Sequence, residues 1–129
     1  GDSRCYLLKE GKLIQLTTDH SVVQQLVDSG SMTPDEAERS PIKNYLTRSL
    51  GSHAELDMDV QRVELSGADR LLLCSDGLTN MLATAELENI MMSCDSDQIV
   101  CERLVEEALA RGASDNVSVI VCTLKQSGV

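Results

Sequence analysis

A short apolar run that ends in a carboxylate and a glycine constrains this 129-residue chain most strongly. The run Leu-Leu-Leu-Cys at residues 71–74 is too short for a helix and lacks the alternation of a half-exposed strand, so it predicts a fully buried strand. Asp76 follows at the strand end, and Gly77 allows a sharp turn. A carboxylate held on a rigid element suits a binding site, although an Asp-Gly pair after a strand is also ordinary turn chemistry.

Two capping patterns predict short helices in the first part of the chain. Ser21 with Gln24 three residues later is a capping-box pattern, and Gly30 ends the helix that follows it. Thr33 followed by Pro34 is a second helix start, because proline is favoured at the first helical position. We expect this second helix to run toward residue 40.

Alternating and β-branched runs predict the remaining strands. Residues 5–8 and 13–16 are joined by a loop that contains Gly11, which indicates an antiparallel hairpin. Residues 56–61 alternate between apolar and polar side chains, which is typical of a half-exposed strand. Residues 117–122 form a β-branched strand, whereas residues 42–53 fit either a helix or turns.

Two longer helices occupy the region before the last strand. Thr84 is the expected cap of the first helix, Asp95 or Ser96 begins the second, and Gly112 ends it. The residues expected to face the core at helical spacing are Leu87, Ile90, Met91, Cys94, Ile99, Val100, Leu104, Ala108 and Leu109. The order of strands and helices predicts an α+β layered fold in one domain.

Composition excludes several classes of function. A net charge of −10 and only two aromatic residues argue against a nucleic-acid partner. No stretch approaches the roughly 18 apolar residues of a membrane span, so we expect no membrane partner. The five cysteines lack metal spacing and predict free thiols in a reducing cytoplasm. The first residues run directly into a strand pattern, which indicates a chain cut from something longer.

Three aspartates lie at the margins of predicted strands: Asp2, Asp76 and Asp115. Carboxylates gathered at one end of a sheet suit hard divalent cations such as Mg²⁺ and Mn²⁺. The alternative is that each aspartate is a turn or cap residue. The two histidines, His20 and His53, have no metal-ligand spacing, and the chain has no nucleophile elbow, dinucleotide fingerprint or P-loop.

Five motifs in order resemble one family. They are GDSR at 1–4, LTTDHS at 16–21, LTRSLG at 46–51, LCSDGL at 73–78 and SDNVS at 114–118. Together they resemble the C-terminal half of the type 2C (metal-dependent) Ser/Thr protein phosphatases of the compact bacterial type. The resemblance covers essentially the whole chain, residues 1–129, and places a flap subdomain at about residues 20–52.

The resemblance implies both a fold and a site. The fold would be part of an α-β-β-α sandwich, two antiparallel sheets flanked by helices, incomplete in this chain. Asp76 and Asp115 would be metal ligands, with Asp2 helping to hold a third metal. The residues beside them would be Asn116, Ser75 and Gly77. The complete domain would hold two or three Mg²⁺ or Mn²⁺ ions, and a metal-activated water would hydrolyse phosphoserine or phosphothreonine without a phosphoenzyme.

One departure from the family limits these implications. The Asp-Gly-x-Gly-Gly motif and the arginine that binds substrate phosphate have no counterpart here, so we expect the chain alone to be inactive. Its substrates in the complete domain would be phosphoproteins made by Ser/Thr kinases. Exposed sheet edges would favour self-association. The alternatives are a non-catalytic pseudophosphatase or interaction module, and an acidic structural domain.

Overall fold

The chain forms two compact units in a computed structural model that describes residues 1–125. The first unit consists of Gly1–Asp2 and Thr18–Arg62. The second unit consists, among the described residues, of Ser3–Thr17 and residues 63–125. Each unit is described by itself below.

The first unit contains two short helices, α1 (Val22–Asp28) and α2 (Pro34–Arg39). Both predicted caps are confirmed, because Ser21 Oγ and Thr33 Oγ1 each accept a hydrogen bond of 3.2 Å from the backbone N–H three residues later. Gly30 follows α1 with a φ of +78°, a conformation that favours glycine. Between α2 and residue 53 the chain forms turns.

The strand predicted at residues 56–61 is wrong, since the chain is irregular there. The alternating segment pairs with no strand in the described part of the chain, and the Val60 side chain is 88% exposed. Side chains hold the segment instead: Asp59 Oδ1 accepts from Arg48 Nη1 at 2.9 Å, and Asp59 Oδ2 lies 2.7 Å from His20 Nε2. The hydrogen bonds from His20 and Arg48 lower the pKa of the Asp59 carboxyl.

A four-stranded antiparallel sheet forms the centre of the second unit. Its strands, in chain order, are β1 (Arg4–Lys9), β2 (Lys12–Gln15), β3 (Arg70–Cys74) and β4 (Val119–Thr123). In space the order is β2-β1-β3-β4. The predicted hairpin of β1 and β2 is confirmed, and its two turn residues have positive φ values, 51° at Glu10 and 76° at Gly11.

Three helices pack on one face of this sheet: α3 (Asp76–Thr79), α4 (Thr84–Met91) and α5 (Asp97–Ala110). The core between them and the sheet consists of Tyr6, Leu13, Leu72, Cys74, Leu78, Leu82, Leu87, Met91, Val100, Leu104 and Ala108. The mixture of helices with one antiparallel sheet agrees with the α+β prediction.

Two details of the longer helices differ from the prediction. Ala83, not Thr84, is the N-cap of α4, so Thr84 lies inside the first turn. On α5, Ile99 is 41% and Leu109 is 60% exposed, although both were expected in the core. Positions i, i+4 and i+8, starting at Val100, already fill the apolar stripe that faces the sheet, and each exposed residue lies one position away from that stripe.

The opposite face of the sheet is apolar and is open around the end of β3 and the start of β4, whereas Leu7 on the same face is buried. Leu73 and Ile120 lie opposite each other in the β3–β4 register, and they are 44% and 63% exposed. The prediction that β3 is buried on both faces is therefore wrong for this chain, because the helices cover only one face. A sheet with two apolar faces is typical of a strand layer that packs between two others.

A buried arginine fixes the helices to the sheet at the start of β3. Arg70 is 6% exposed, and its Nε donates to Thr123 Oγ1 at 2.8 Å and lies 3.2 Å from Asp97 Oδ1. Its two terminal nitrogens donate, at 2.6–2.8 Å, to three backbone carbonyls at the end of α4 and in the connection from α4 to α5. Those carbonyls belong to Met91, Cys94 and Asp95.

The cysteines are free thiols, as predicted. Burial raises the pKa of the Cys5 thiol. Among the described residues, no helix combines the length and the apolar character needed to cross a bilayer.

Candidate metal centre

Asp76 lies where β3 ends and α3 begins. The Ser75 carbonyl accepts Leu78 N–H at 3.2 Å, which starts the helix, and the Asp76 carbonyl accepts Asn80 N–H at 2.8 Å. Asp76 is therefore the first residue of the helix. The backbone carbonyls of Ser75 and of Asp76 itself are both hydrogen-bonded, so the backbone that carries the Asp76 side chain is fixed. It is half-buried.

Asp115 lies in the exposed connection from α5 to β4. Its Oδ1 accepts the backbone N–H of Asn116 at 2.7 Å, which fixes the carboxylate against its own turn. The connection leads into β4 at Val119.

The backbones carrying these two aspartates are in direct contact. A Cβ placed on Gly77 would lie 2.2 Å from Asn116 O and 2.9 Å from Asn116 C, so only glycine permits this approach. Three hydrogen bonds of 3.0–3.2 Å reinforce the contact, from Ser75 N to Ser118 O, from Ser75 Oγ to Asn116 O, and from Ser118 N to Ser75 Oγ. The structure thus places the Asp76 turn beside the Asp115 turn.

Asp2, the third predicted ligand, belongs to the first unit. It is half-buried, and the carbonyl of the preceding Gly1 accepts His20 N–H at 2.9 Å. The other residues predicted around the site, Ser75, Gly77 and Asn116, all lie in the contact between the two turns.

The two carboxylates fit part of a site for a hard cation. Carboxylate oxygens suit Mg²⁺ and Mn²⁺, and Mg²⁺ is usually bound by one or two carboxylates while it keeps several waters. No lysine, arginine or histidine of the described chain forms a salt bridge with Asp76 or Asp115. Residues 1–125 contain no group of three or more His, Cys, Asp or Glu side chains that could hold a metal. The two aspartates alone therefore do not make up such a group.

An open cleft of about 520 Å³ lies beside this contact, along the uncovered sheet face. Its lining is mostly apolar near Leu73 and Ile120, with serine hydroxyls at the end where β3 stops. The residues around it are Ser3, Arg4, Cys5, Thr17, Leu73, Cys74, Ser75, Ser118, Val119 and Ile120.

Sequence reasoning missed the part played by Ser118. It contributes through its backbone N–H and carbonyl, both bonded to Ser75. Every residue except proline has a backbone N–H and carbonyl, so the residue type at position 118 does not indicate this role. Only the strand register between Ser75 and Ser118 could have suggested it.

Comparison with known proteins identifies clear relatives. Residues 26–125 match the family model described as stage II sporulation protein E (SpoIIE). The chain is 40% identical to the serine/threonine phosphatase stp of Listeria welshimeri over 94% of its own length and 48% of the relative. It is 40% identical to the protein phosphatase PhpP of Streptococcus pneumoniae over 98% of its length and 51% of the relative.

Solved structures show the same relationship. The serine/threonine phosphatase PstP/Ppp of Mycobacterium tuberculosis matches with a TM-score of 0.93 and 39% identity, over 98% of this chain and 53% of that one. The catalytic domain of the phosphatase PstP in complex with two manganese ions matches with a TM-score of 0.87 and 37% identity, over 98% and 51%. The chain spans about half the length of the relatives it matches, and the expected fold, a partial phosphatase sandwich, is confirmed.

Proposed function

Since this chain belongs to the SpoIIE family and is part of a type 2C phosphatase domain, we propose that it supplies metal ligands for the hydrolysis of phosphoserine and phosphothreonine in proteins. The ligands are Asp76 and Asp115 of the second unit. Asp2, which belongs to the first unit, is proposed separately as a residue that helps to hold a third metal. The substrates are phosphoproteins made by Ser/Thr kinases, as the names of the relatives suggest.

The observation that carries this proposal is the backbone contact between the Asp76 and Asp115 turns. Gly77 has no side chain that would keep Asn116 away, and Ser75 bonds to both sides of Val117. The two aspartates lie on turns whose backbones touch, and no Lys, Arg or His of the described residues forms a salt bridge with either. Carboxylates without a basic partner remain available to a hard cation, so the arrangement favours a metal site over two independent turns.

Each part of the chain has a defined role in this proposal. Mg²⁺ or Mn²⁺, two or three ions in the complete domain, would supply Lewis acidity to the phosphoryl oxygens and lower the pKa of water. Asp76 is oriented by the start of α3, and Asp115 by its bond to the Asn116 N–H. Such fixed backbones hold ligands within the narrow geometry that metal catalysis requires.

The chain alone is not expected to be active. Its relatives are about twice as long, so we assign the remaining ligands and the arginine for the substrate phosphate to the rest of such a domain. The exposed apolar face at Leu73 and Ile120 is consistent with a missing layer. The free thiols suit a reducing compartment such as the cytoplasm.

Self-association, if it uses a sheet edge, is expected at β4. On the β2 edge the Leu13 N–H is already bonded to Glu88 Oε2 of α4 at 2.9 Å. On β4, Ser118 and Leu124 bond toward β3, so by alternation Val119 and Val121 direct their backbone groups outward. Outward backbone groups on an edge strand are a template for another strand.

A non-catalytic interaction module is the second candidate. The absence of a group of three or more metal-binding side chains in residues 1–125 favours it. The close contact of the two aspartate turns argues against it, because an interaction module has no physical need for two carboxylates on touching backbones.

A chimeric domain tests the proposal. This chain would replace the matching half of the M. tuberculosis phosphatase, to which it is 39% identical, and Mn²⁺-dependent hydrolysis of a phosphothreonine peptide would be measured. We expect activity in the chimera and none in the chain alone. Asp76→Asn and Asp115→Asn should each lower kcat/KM by about 100-fold or more, since metals contribute several kcal/mol to transition-state stabilisation. Asp95→Asn, an exposed carboxylate on the α4–α5 connection, is the matched control. Equal activity in all three variants would contradict the proposal.

A further inference from the structure

The hydroxyl of Ser75 replaces a backbone acceptor where β3 leaves the sheet. Ser75 N–H donates to Ser118 O at 3.0 Å, as in an antiparallel ladder. In such a ladder the reciprocal bond runs from Ser118 N–H to the Ser75 carbonyl. Here that carbonyl is committed to Leu78 N–H of α3, and Ser118 N–H donates to Ser75 Oγ at 3.0 Å instead. The side chain therefore completes the ladder while the backbone turns into the helix.

The same hydroxyl has a second partner. Ser75 Oγ donates to Asn116 O at 3.2 Å, and this is the carbonyl that approaches the Cα of Gly77. We call the two bonds of this hydroxyl, to Ser118 N–H and to Asn116 O, the Ser75 bridge. The bridge attaches both sides of Val117 to the end of β3, and Asp115 is the next residue upstream of the attached segment.

We propose that Ser75 is a positioning residue that holds the Asp115 turn in place beside Asp76; this rests on the metal-ligand roles proposed above for the two aspartates. The connection from α5 to β4 is exposed around Asp115, so it has little burial to fix it. Removal of the hydroxyl leaves Ser118 N–H and Asn116 O without their protein partner, and the segment gains freedom. Hydrogen-bond partners outside the ligands typically affect metal affinity by about 10–100-fold.

Nuclear magnetic resonance of the whole chain separates a structural role from a positioning role. The first readout is the amide hydrogen exchange rate of Ser118 without metal, with the Cys122 amide inside the β3–β4 ladder as internal reference. The second readout is the Mn²⁺ concentration that broadens the Asn116 amide signal by half. Ser75→Ala is compared with Ser118→Ala, which deletes a neighbouring hydroxyl but keeps the backbone groups that form the bridge.

In Ser75→Ala we expect Ser118 exchange to become about tenfold faster, equivalent to about 1.4 kcal/mol. We also expect the Mn²⁺ midpoint to rise about tenfold or more. Ser118→Ala should change neither readout.

Three outcomes overturn the proposal. Unchanged Ser118 exchange in Ser75→Ala would show that the bridge does not hold this segment. Faster exchange with an unchanged Mn²⁺ midpoint would show that the bridge is structural and positions no ligand. Absence of Mn²⁺ broadening in the unsubstituted chain would show that Asp76 and Asp115 bind no Mn²⁺ in this chain and would overturn the positioning role. The chimera tests the proposed function separately, and the exchange readout still reports on the bridge.

Discussion

The charged side chains at the two ends of β3 have different surroundings. We call the start of the strand, at Asp69 and Arg70, the closed end, and the other end, at Asp76, the open end. At the start, Asp69 accepts from Lys9 Nζ and from Ser66 N–H, both at 2.9 Å, and Arg70 is bonded through its whole guanidinium. At the other end, no Lys, Arg or His of the described residues forms a salt bridge with Asp76, and the next residue, Gly77, lies against the Asn116 backbone in the turn of another aspartate, Asp115.

We propose that this difference separates charges that stabilise the fold from charges that are available to bind a ligand. A buried charge with all its partners in place fixes neighbouring elements, as Arg70 does for the α4–α5 connection. Carboxylates on adjoining turns without a basic partner are the arrangement expected where a hard cation binds.

The largest expected effect is the loss of the arginine at the closed end. Arg70→Met should lower the free energy of unfolding by about 3–5 kcal/mol, because three backbone carbonyls lose the buried guanidinium that donates to them and the partly exposed Asp97 loses its charged partner. Urea unfolding followed by circular dichroism measures it. Arg103→Met, an exposed arginine on α5, should change stability by no more than about 0.5 kcal/mol. A small loss of stability in Arg70→Met would contradict the account that charges at the closed end stabilise the fold.

The next effect is at the open end, where Gly77→Ala should lower stability by about 2–3 kcal/mol. The new Cβ would lie 2.2 Å from a backbone carbonyl, so the Asp115 turn must move. Gly112→Ala is the control, since its φ is +81° and nothing lies within 4 Å of its Cβ position. It should cost about 1 kcal/mol through backbone strain alone. If Gly77→Ala and Gly112→Ala unfold at the same urea concentration, that result would contradict the close contact between the Asp76 and Asp115 turns.

Local signals in the sequence predicted much of the fold. The caps at Ser21 and Thr33, the hairpin with Gly11 and the cap at Ser96 all follow from hydrogen bonds or backbone angles within a few residues. Such features depend on the residue type at one place, so single-sequence reasoning finds them.

Features that depend on distant partners were missed. The alternation at residues 56–61 predicted a strand, but a strand also needs a neighbour, and sequence spacing does not reveal one. Arg70 was not singled out from the sequence, because its hydrogen-bond partners lie 21–53 positions away. At the candidate site, the sequence motifs predicted Asp76 and Asp115. The contact of Gly77 with Asn116 and the Ser75 bridge join residues about 40 positions apart, so only the three-dimensional structure reveals them.

The smallest expected effect concerns the paired carboxylate at the closed end. The hydrogen bond from Lys9, followed by the backbone bond from Ser66, lowers the pKa of Asp69 below its ordinary value of 3.8. The ionised form is thus favoured by folding, so its stabilisation is present above about pH 4 and is lost as the pH falls through the lowered pKa.

Urea unfolding between pH 7 and pH 3 tests this prediction. Asp69→Asn should be less stable than the unsubstituted chain at pH 7, and the gap should narrow below pH 4. In a Lys9→Met background the same substitution should have a smaller effect. A gap that stays constant over the whole range would show that Asp69 is not preferentially ionised in the fold.

The most direct test of the open end as a metal-binding end is a calorimetric Mn²⁺ titration of this chain. The account predicts a saturating heat in the unsubstituted chain and in the exposed control Asp95→Asn. In Asp76→Asn and in Asp115→Asn the affinity should fall by about tenfold or more, with circular dichroism unchanged. Identical titrations in all four proteins would contradict the account, because the two carboxylates would then be ordinary turn residues.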